Sequence, residues 1–128
     1  MGYYSEVGII IKEKDYQKLT KRIEKVKTED EKLYENLLWT TIKGVDDSYV
    51  VETSFGYDPV LAEEYRILHW DNIKWYENNF PEVDYIMNFV RDLDCYQYIR
   101  LGEDVDDTEF ESHGDIDMMY INRNIELP

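Results

Sequence analysis

The chain has one cysteine, two histidines, six glycines and three prolines, and each shortage excludes a class of chemistry. The lone Cys95 excludes a disulfide framework, and with only His69 and His113 beside it no zinc set can be assembled. A half-buried core thiol in a reducing cytoplasm is the expectation. The glycines are too few and too scattered for a P-loop or a dinucleotide turn, and no serine stands in a Gly-x-Ser-x-Gly elbow. No Pro/Gly-rich linker, internal repeat or low-complexity tract divides the sequence, which predicts one domain over residues 1–128. No apolar run approaches the ~18 residues of a membrane span, and the first residues lack the basic and apolar regions of a signal peptide. Met1-Gly2 is followed at position 6 by Glu6, where a myristoylation signal needs a hydroxyl.

Positive charge is the next shortage. Residues 44–128 hold five Lys and Arg against twenty-one Asp and Glu, a net charge of −16, whereas residues 1–43 carry eight acids and nine bases. The densest stretch, Glu103 to Asp117, has eight carboxylates and no base. Such a field repels phosphate and anionic lipid and favours a cationic protein surface. The apolar fraction of 43% and the aromatic fraction of 15% are too high for a disordered acidic tail.

Period and punctuation predict the elements. Gly8-Ile9-Ile10-Ile11 is a β-branched run suited to a central strand buried on both faces. From Asp15, read as an N-cap, Tyr16, Leu19, Ile23 and Val26 form a helical stripe with Lys18, Lys21, Arg22 and Lys25 opposite. Thr28-x-x-Glu31 has capping-box spacing, and Leu33, Tyr34, Leu37, Leu38 and Ile42 continue as a second helix ended by Gly44. Ser48 to Phe55 reads as a strand, Asp58-Pro59 as the start of a helical turn through Glu64, and Tyr65 to Trp70 as another strand. Trp70, Ile73 and Tyr76 recur every three residues, which predicts a helical turn over 71–76. Pro81-Glu82 opens a helix to about residue 93, with Val83, Ile86, Phe89, Val90 and Leu93 on one face. Tyr96 to Leu101 and Met118 to Ile125 read as strands, and Glu109-Phe110-Glu111 as part of a third between them. The sum is an α+β fold: an antiparallel sheet of four or five strands, an N-terminal helical hairpin, and one further helix packed on the sheet.

The candidate sites follow from the charge. As an EF-hand loop, the stretch from Asp104 fails, with Glu109 where glycine is needed and no glutamate at position twelve; no metal or other cofactor is predicted. Paired carboxylates can do acid–base work only in a pocket that separates their pKa values, and a solvated run provides none, so no catalytic residue is assigned. Trp70, Trp75 and Tyr76, with Phe80 close behind, read first as core packing and second as aromatic anchors beside an acidic face. Sixteen charges over a diameter of ~36 Å are spaced like those of duplex DNA, about one per 2 Å.

Trp70-x-x-x-Lys74-Trp75-Tyr76, Phe80-Pro81-Glu82-Val83 and Tyr98-Ile99-Arg100-Leu101-Gly102-Glu103-Asp104-x-x-Asp107 together resemble a pattern in small acidic proteins of phages and prophages. In size and charge the chain resembles phage-encoded inhibitors of host defence, including anti-CRISPR proteins and other DNA mimics. That resemblance implies a non-enzymatic inhibitor of a basic nucleic-acid-binding host protein, acting in the host cytoplasm without touching nucleic acid itself. The residues expected at the contact are Glu103, Asp104, Asp106, Asp107, Glu109, Glu111, Asp115 and Asp117. The alternative is an acidic adaptor or immunity-type protein that binds a basic toxin or host enzyme away from its nucleic-acid site.

Overall fold

The computed structural model describes residues 4–46, 49–53, 63–103, 106–114, 120–121 and 125–126. Along the chain run β1 (Ser5–Lys12), α1 (Glu13–Glu29), α2 (Glu31–Asp46), β2 (Tyr49–Thr53), β3 (Glu63–Ile73), α3 (Pro81–Arg91), β4 (Tyr96–Leu101), β5 (Thr108–His113), β6 (Tyr120–Ile121) and β7 (Ile125–Glu126). The architecture is α+β. Five antiparallel strands lie in the order β2-β3-β1-β4-β5, and β6 pairs with β7 separately.

β1 is the middle strand and is apolar on both faces, as its β-branched run requires. Val7, Ile9 and Ile11 point into the core beneath the helices, where they meet Leu68, Trp70, Tyr96 and Tyr98 from neighbouring strands. Ile10 points the other way and packs with Ile67, Tyr65, Ile99, Cys95 and Ile125. Cys95 is therefore a core thiol as expected, though buried more deeply than the half-buried position read from the sequence. On the helical side α1 contributes Leu19, Ile23 and Val26, α2 contributes Leu37, and α3 contributes Val83, Ile86, Met87, Phe89 and Val90. The α1 cations Lys18, Lys21, Arg22 and Lys25 all face solvent.

Several boundaries differ from the sequence reading, each for a local reason. α1 begins at Glu13, which puts Asp15 inside the first turn, buried and 3.8 Å from Lys18, rather than at the cap. The chain between α1 and α2 is Asp30 alone. Its Oδ1 accepts the Leu33 amide at 3.1 Å, so Asp30 caps α2, while Thr28 is still helical and turns its hydroxyl back to the Lys25 carbonyl. α2 runs through Gly44 to Asp46 instead of stopping there. The helical turn predicted over 71–76 is the end of β3 followed by a loop. Between Ser5↔Ile73 and Val7↔Trp70, β3 carries one residue more than β1, and this bulge turns Trp70 and Ile73 to the same face. Period three here comes from the bulge. Met118 to Ile125 is not one strand, because Tyr120–Ile121 folds back on Ile125–Glu126. The turn proposed from Asp58 lies outside the described residues except for Glu63 and Glu64, which belong to β3.

α3 starts with Pro81 at its first position, and Asp84 of its first turn accepts the amide of Asn78 at 2.7 Å. After β5 the chain turns at Gly114 with φ +82, where a Cβ would come within 2.6 Å of the Asp94 carbonyl oxygen. This close approach fixes the end of the β4–β5 hairpin against the loop that follows α3.

Candidate functional site

β4 and β5 form a hairpin from Tyr96↔His113 to Leu101↔Thr108, about 17 Å long, closed at its tip by the Gly102 amide on the Asp107 carbonyl at 2.8 Å. The alternating Glu109-Phe110-Glu111 is thus a strand, with Glu109 and Glu111 on the helical side of the sheet and Phe110 on the other, 51% exposed. β5 is an edge strand, where inward-turned charge discourages pairing with foreign strands.

The five of the eight predicted contact residues that are described divide between the hairpin tip and two arginines. Glu103 and Asp106 lie exposed at the tip, and a Glu103 carboxylate oxygen accepts the Tyr4 amide at 3.1 Å. Asp107 and Glu109 converge on Arg100. This residue is nine-tenths buried, and its guanidinium donates Nη2 to Asp107 at 2.5 Å, Nε to Glu109 at 3.0 Å and Nη1 to the Ser5 hydroxyl at 3.0 Å. Glu111 lies one step further along the strand and shares Arg91 with Glu77: Nε and Nη2 of Arg91 reach Glu111 at 3.0 and 2.7 Å, and Nη1 and Nη2 reach Glu77. Asp104, Asp115 and Asp117 lie outside the described residues. The solvated acidic run expected from sequence is therefore, in its middle, an ion-pair ladder along the hairpin.

The electrostatics agree with that geometry. The Arg91 side-chain hydrogen bonds hold the Glu111 carboxyl below the ordinary carboxylate range, and those of Arg66 do the same to Glu13, which it grips through Nε and Nη2 at 2.8 Å each. Hydrogen bonds to the facing carboxylates push Arg91 and Arg100 upward, so neither loses its charge. Burial pushes the Tyr98 phenol up as well, and it remains a donor to Glu109 at 3.2 Å. A carboxyl whose folded pKa is depressed contributes stability that is complete above its unfolded value of 4.5 and is lost as pH falls through the folded value. Urea midpoints are accordingly expected to hold from pH 7 to about 5 and to fall below that, more steeply for the parent chain than for Glu111→Gln.

The sequence signals for this ladder were weak. Glu77 and Arg91 carried no motif and Arg100 entered only within the phage-like pattern; the pairing Arg100↔Glu109 and the reach of Arg91 to Glu77 and Glu111 bring the ladder into view.

Trp70 and Trp75 are each 4% exposed, with ring centroids 5.0 Å apart, and the Trp70 indole donates to the Thr40 carbonyl at 3.0 Å. They are core residues, in line with the first of the two readings and not with the second, as surface anchors. Tyr76 is half-buried and stacks edge-on against Phe80. His69, a strand residue as predicted, has its ring between two carboxylates: Nε2 is 2.7 Å from Glu6 and Nδ1 is 3.5 Å from Asp71. Glu6, His69 and Asp71 place donors within 4.8 Å of one another, the one such set with metal-ligating chemistry among the described residues. The two carboxylates approach opposite ring nitrogens, however, and Glu6 also accepts the Ile125 amide at 2.9 Å. The arrangement is complete as a hydrogen-bonded tie between β1, β3 and β7. His113 is the last residue of β5, exposed and stacked on Tyr96.

Among the described residues no helix is long and apolar enough to cross a membrane. Neither a family model, nor a curated protein, nor a solved structure matches the chain.

Proposed function

We propose that the protein acts by binding rather than by catalysis, covering the cationic surface of a basic nucleic-acid-binding protein and thereby keeping nucleic acid off it. One observation carries this reading. All three described arginines beyond residue 44 are held by carboxylates of the chain itself: Arg66 by Glu13, Arg91 by Glu77 and Glu111, and Arg100 by Asp107 and Glu109. Of the other described charges in that region, Lys74 lies over the Tyr4 ring, Arg91 is exposed but sits between its two carboxylates, and Glu64, Asp71, Asp92, Asp94, Glu103 and Asp106 are exposed anions. The compensating cations Lys14, Lys18, Lys21, Lys25 and Lys27 are exposed on α1. This excess of exposed anions beyond residue 44 steers the molecule toward a basic partner.

The contact residues divide in two. Glu103 and Asp106 at the hairpin tip are exposed and are the ones a partner's Lys and Arg would engage, while Asp107, Glu109 and Glu111 shape and stiffen the strand behind them. In the setting that the phage resemblance implies, the target is a host defence protein such as a CRISPR effector, met in the cytoplasm. The test is capture from lysate of the cells that harbour the protein, with the intact chain immobilised. Nucleic-acid-binding proteins that elute as salt rises and are displaced by duplex DNA are the expected result, since competing polyanions share one site. A target that holds this protein and nucleic acid together would replace mimicry by the adaptor reading, and direct binding of duplex DNA by this chain in about 0.1 M salt would end both.

A further inference from the structure

A cleft of about 600 Å³ opens between the end of β3, the start of α3 and α2, within the size range of sites that take a small ligand or an anchoring side chain. Trp70 and Phe80 contribute to its apolar walls, and Tyr4, Asp71, Lys74 and Glu82 are its exposed or half-buried polar and aromatic margin. Two of these groups are anionic and one cationic. The cation is already placed over an aromatic face, with Lys74 Nζ 5.5 Å from the centroid of the Tyr4 ring. The Asp71 side chain is 77% exposed and backed by His69, and no basic side chain among the described residues pairs with Glu82. The positive end of α3 does not make this an anion site, because Glu82 and Asp84 in its first turn already answer it.

We infer that this cleft receives an arginine side chain from the partner. The inference rests on the binding reading above and deepens it. A guanidinium fits the combination of carboxylates and ring faces better than an ammonium, because it is planar, weakly hydrated, stacks on aromatics and pairs with a carboxylate through two parallel bonds. The fold already contains this arrangement once: Arg66 grips Glu13 with two nitrogens while lying 4.6 Å from the centroid of the Tyr16 ring. In the cleft, Asp71 and Glu82 would take the part of Glu13, and Tyr4 and Phe80 the part of Tyr16. Lys74 would swing off the Tyr4 ring as the guanidinium arrives.

The test titrates the full chain with N-acetyl-arginine amide, which carries no carboxylate, and follows the Trp70 indole and the Asp71 and Glu82 amides by NMR. The capped citrulline amide serves as the uncharged isostere. A saturable shift of the Trp70 indole with arginine, absent with citrulline and about tenfold weaker in affinity in Asp71→Asn and in Glu82→Gln, is the expected result, one charge-assisted bond being worth about that factor. Asp71→Asn also alters the tie to His69, so Glu82→Gln is the cleaner of the two. Equal binding of citrulline, equal affinity of both variants, or shifts confined to Glu103 and Asp106 would overturn the inference. The last outcome would leave the binding reading standing, whereas failure of that reading shows in the capture experiment, which does not depend on this cleft.

Discussion

Replacing Arg100 by methionine is expected to cost about 3 kcal/mol, read as a lowered urea midpoint and a Tm lower by roughly 10 °C. Arg100 is 9% exposed, and its guanidinium answers Asp107, Glu109 and the Ser5 hydroxyl, joining the start of β1 to the edge strand β5. Its removal leaves two carboxylates facing each other with no cation between them. Breaking one side of a buried ion pair costs ~3–5 kcal/mol in general, and the low end applies because the Asp107 and Glu109 side chains are 35% and 39% exposed and water can take over part of the solvation. Methionine keeps most of the buried stem, so lost packing contributes little. A triple change, Arg100→Met with Asp107→Asn and Glu109→Gln, is expected to recover most of the loss, since removing a whole buried cluster is nearly neutral where removing one member is not. A loss below about 0.5 kcal/mol for the single change would mean that the cluster behaves like an ordinary surface pair.

The parts of this fold that were legible are those set by local burial. β1 is apolar on every side and can only be central, and the stripes of α1 and α3 have the helical period because each has one wet face. What escaped depends on neighbours. A bulge puts Trp70 and Ile73 on one face and imitates a helical turn, although both residues belong to β3. Tyr120–Ile121 and Ile125–Glu126 share the composition of one strand, and only their mutual pairing makes them two. The α2 cap moved from Thr28 to Asp30 because α1 continues past the threonine, a choice of chain length that cap chemistry alone does not make.

The candidate site shows the same division more sharply. Composition located the acidic stretch and alternation made Glu109-Phe110-Glu111 a strand, but charge counting treats every carboxylate as free. Whether one is free depends on register: Arg100 stands opposite Glu109, and Arg91 reaches Glu111 from the end of α3, twenty residues away in sequence. A partner approaching the hairpin thus meets fewer available carboxylates than the sequence offers. The comparison with the charge spacing of DNA is correspondingly weaker in the middle of β5.

That difference makes the contact residues separable from the structural ones. The double variant Glu103→Gln with Asp106→Asn is expected to weaken target binding roughly 10–100-fold, two charge-assisted contacts of ~1 kcal/mol or more being lost together. Its stability should change by less than about 0.5 kcal/mol, because both side chains are exposed and removing them relieves repulsion within the tip. Glu111→Gln should do the reverse, loosening the hold of Arg91 on β5 at a cost of about 1 kcal/mol while leaving binding within about twofold. The control of matched charge is Glu29→Gln with Glu31→Gln, both exposed on the helical hairpin; Asp30 is excluded because it caps α2. It should leave binding unchanged, although it alters the net charge by the same amount as the tip variant. The measurement is titration of the captured target with each variant at two salt concentrations, beside urea unfolding of the same proteins. If the control weakens binding as much as the tip variant does, the target senses only total charge and no contact at the tip exists. If Glu111→Gln weakens binding most while its fold holds, the partner replaces Arg91 in the ladder, and the contact surface is the middle of β5 instead of its tip.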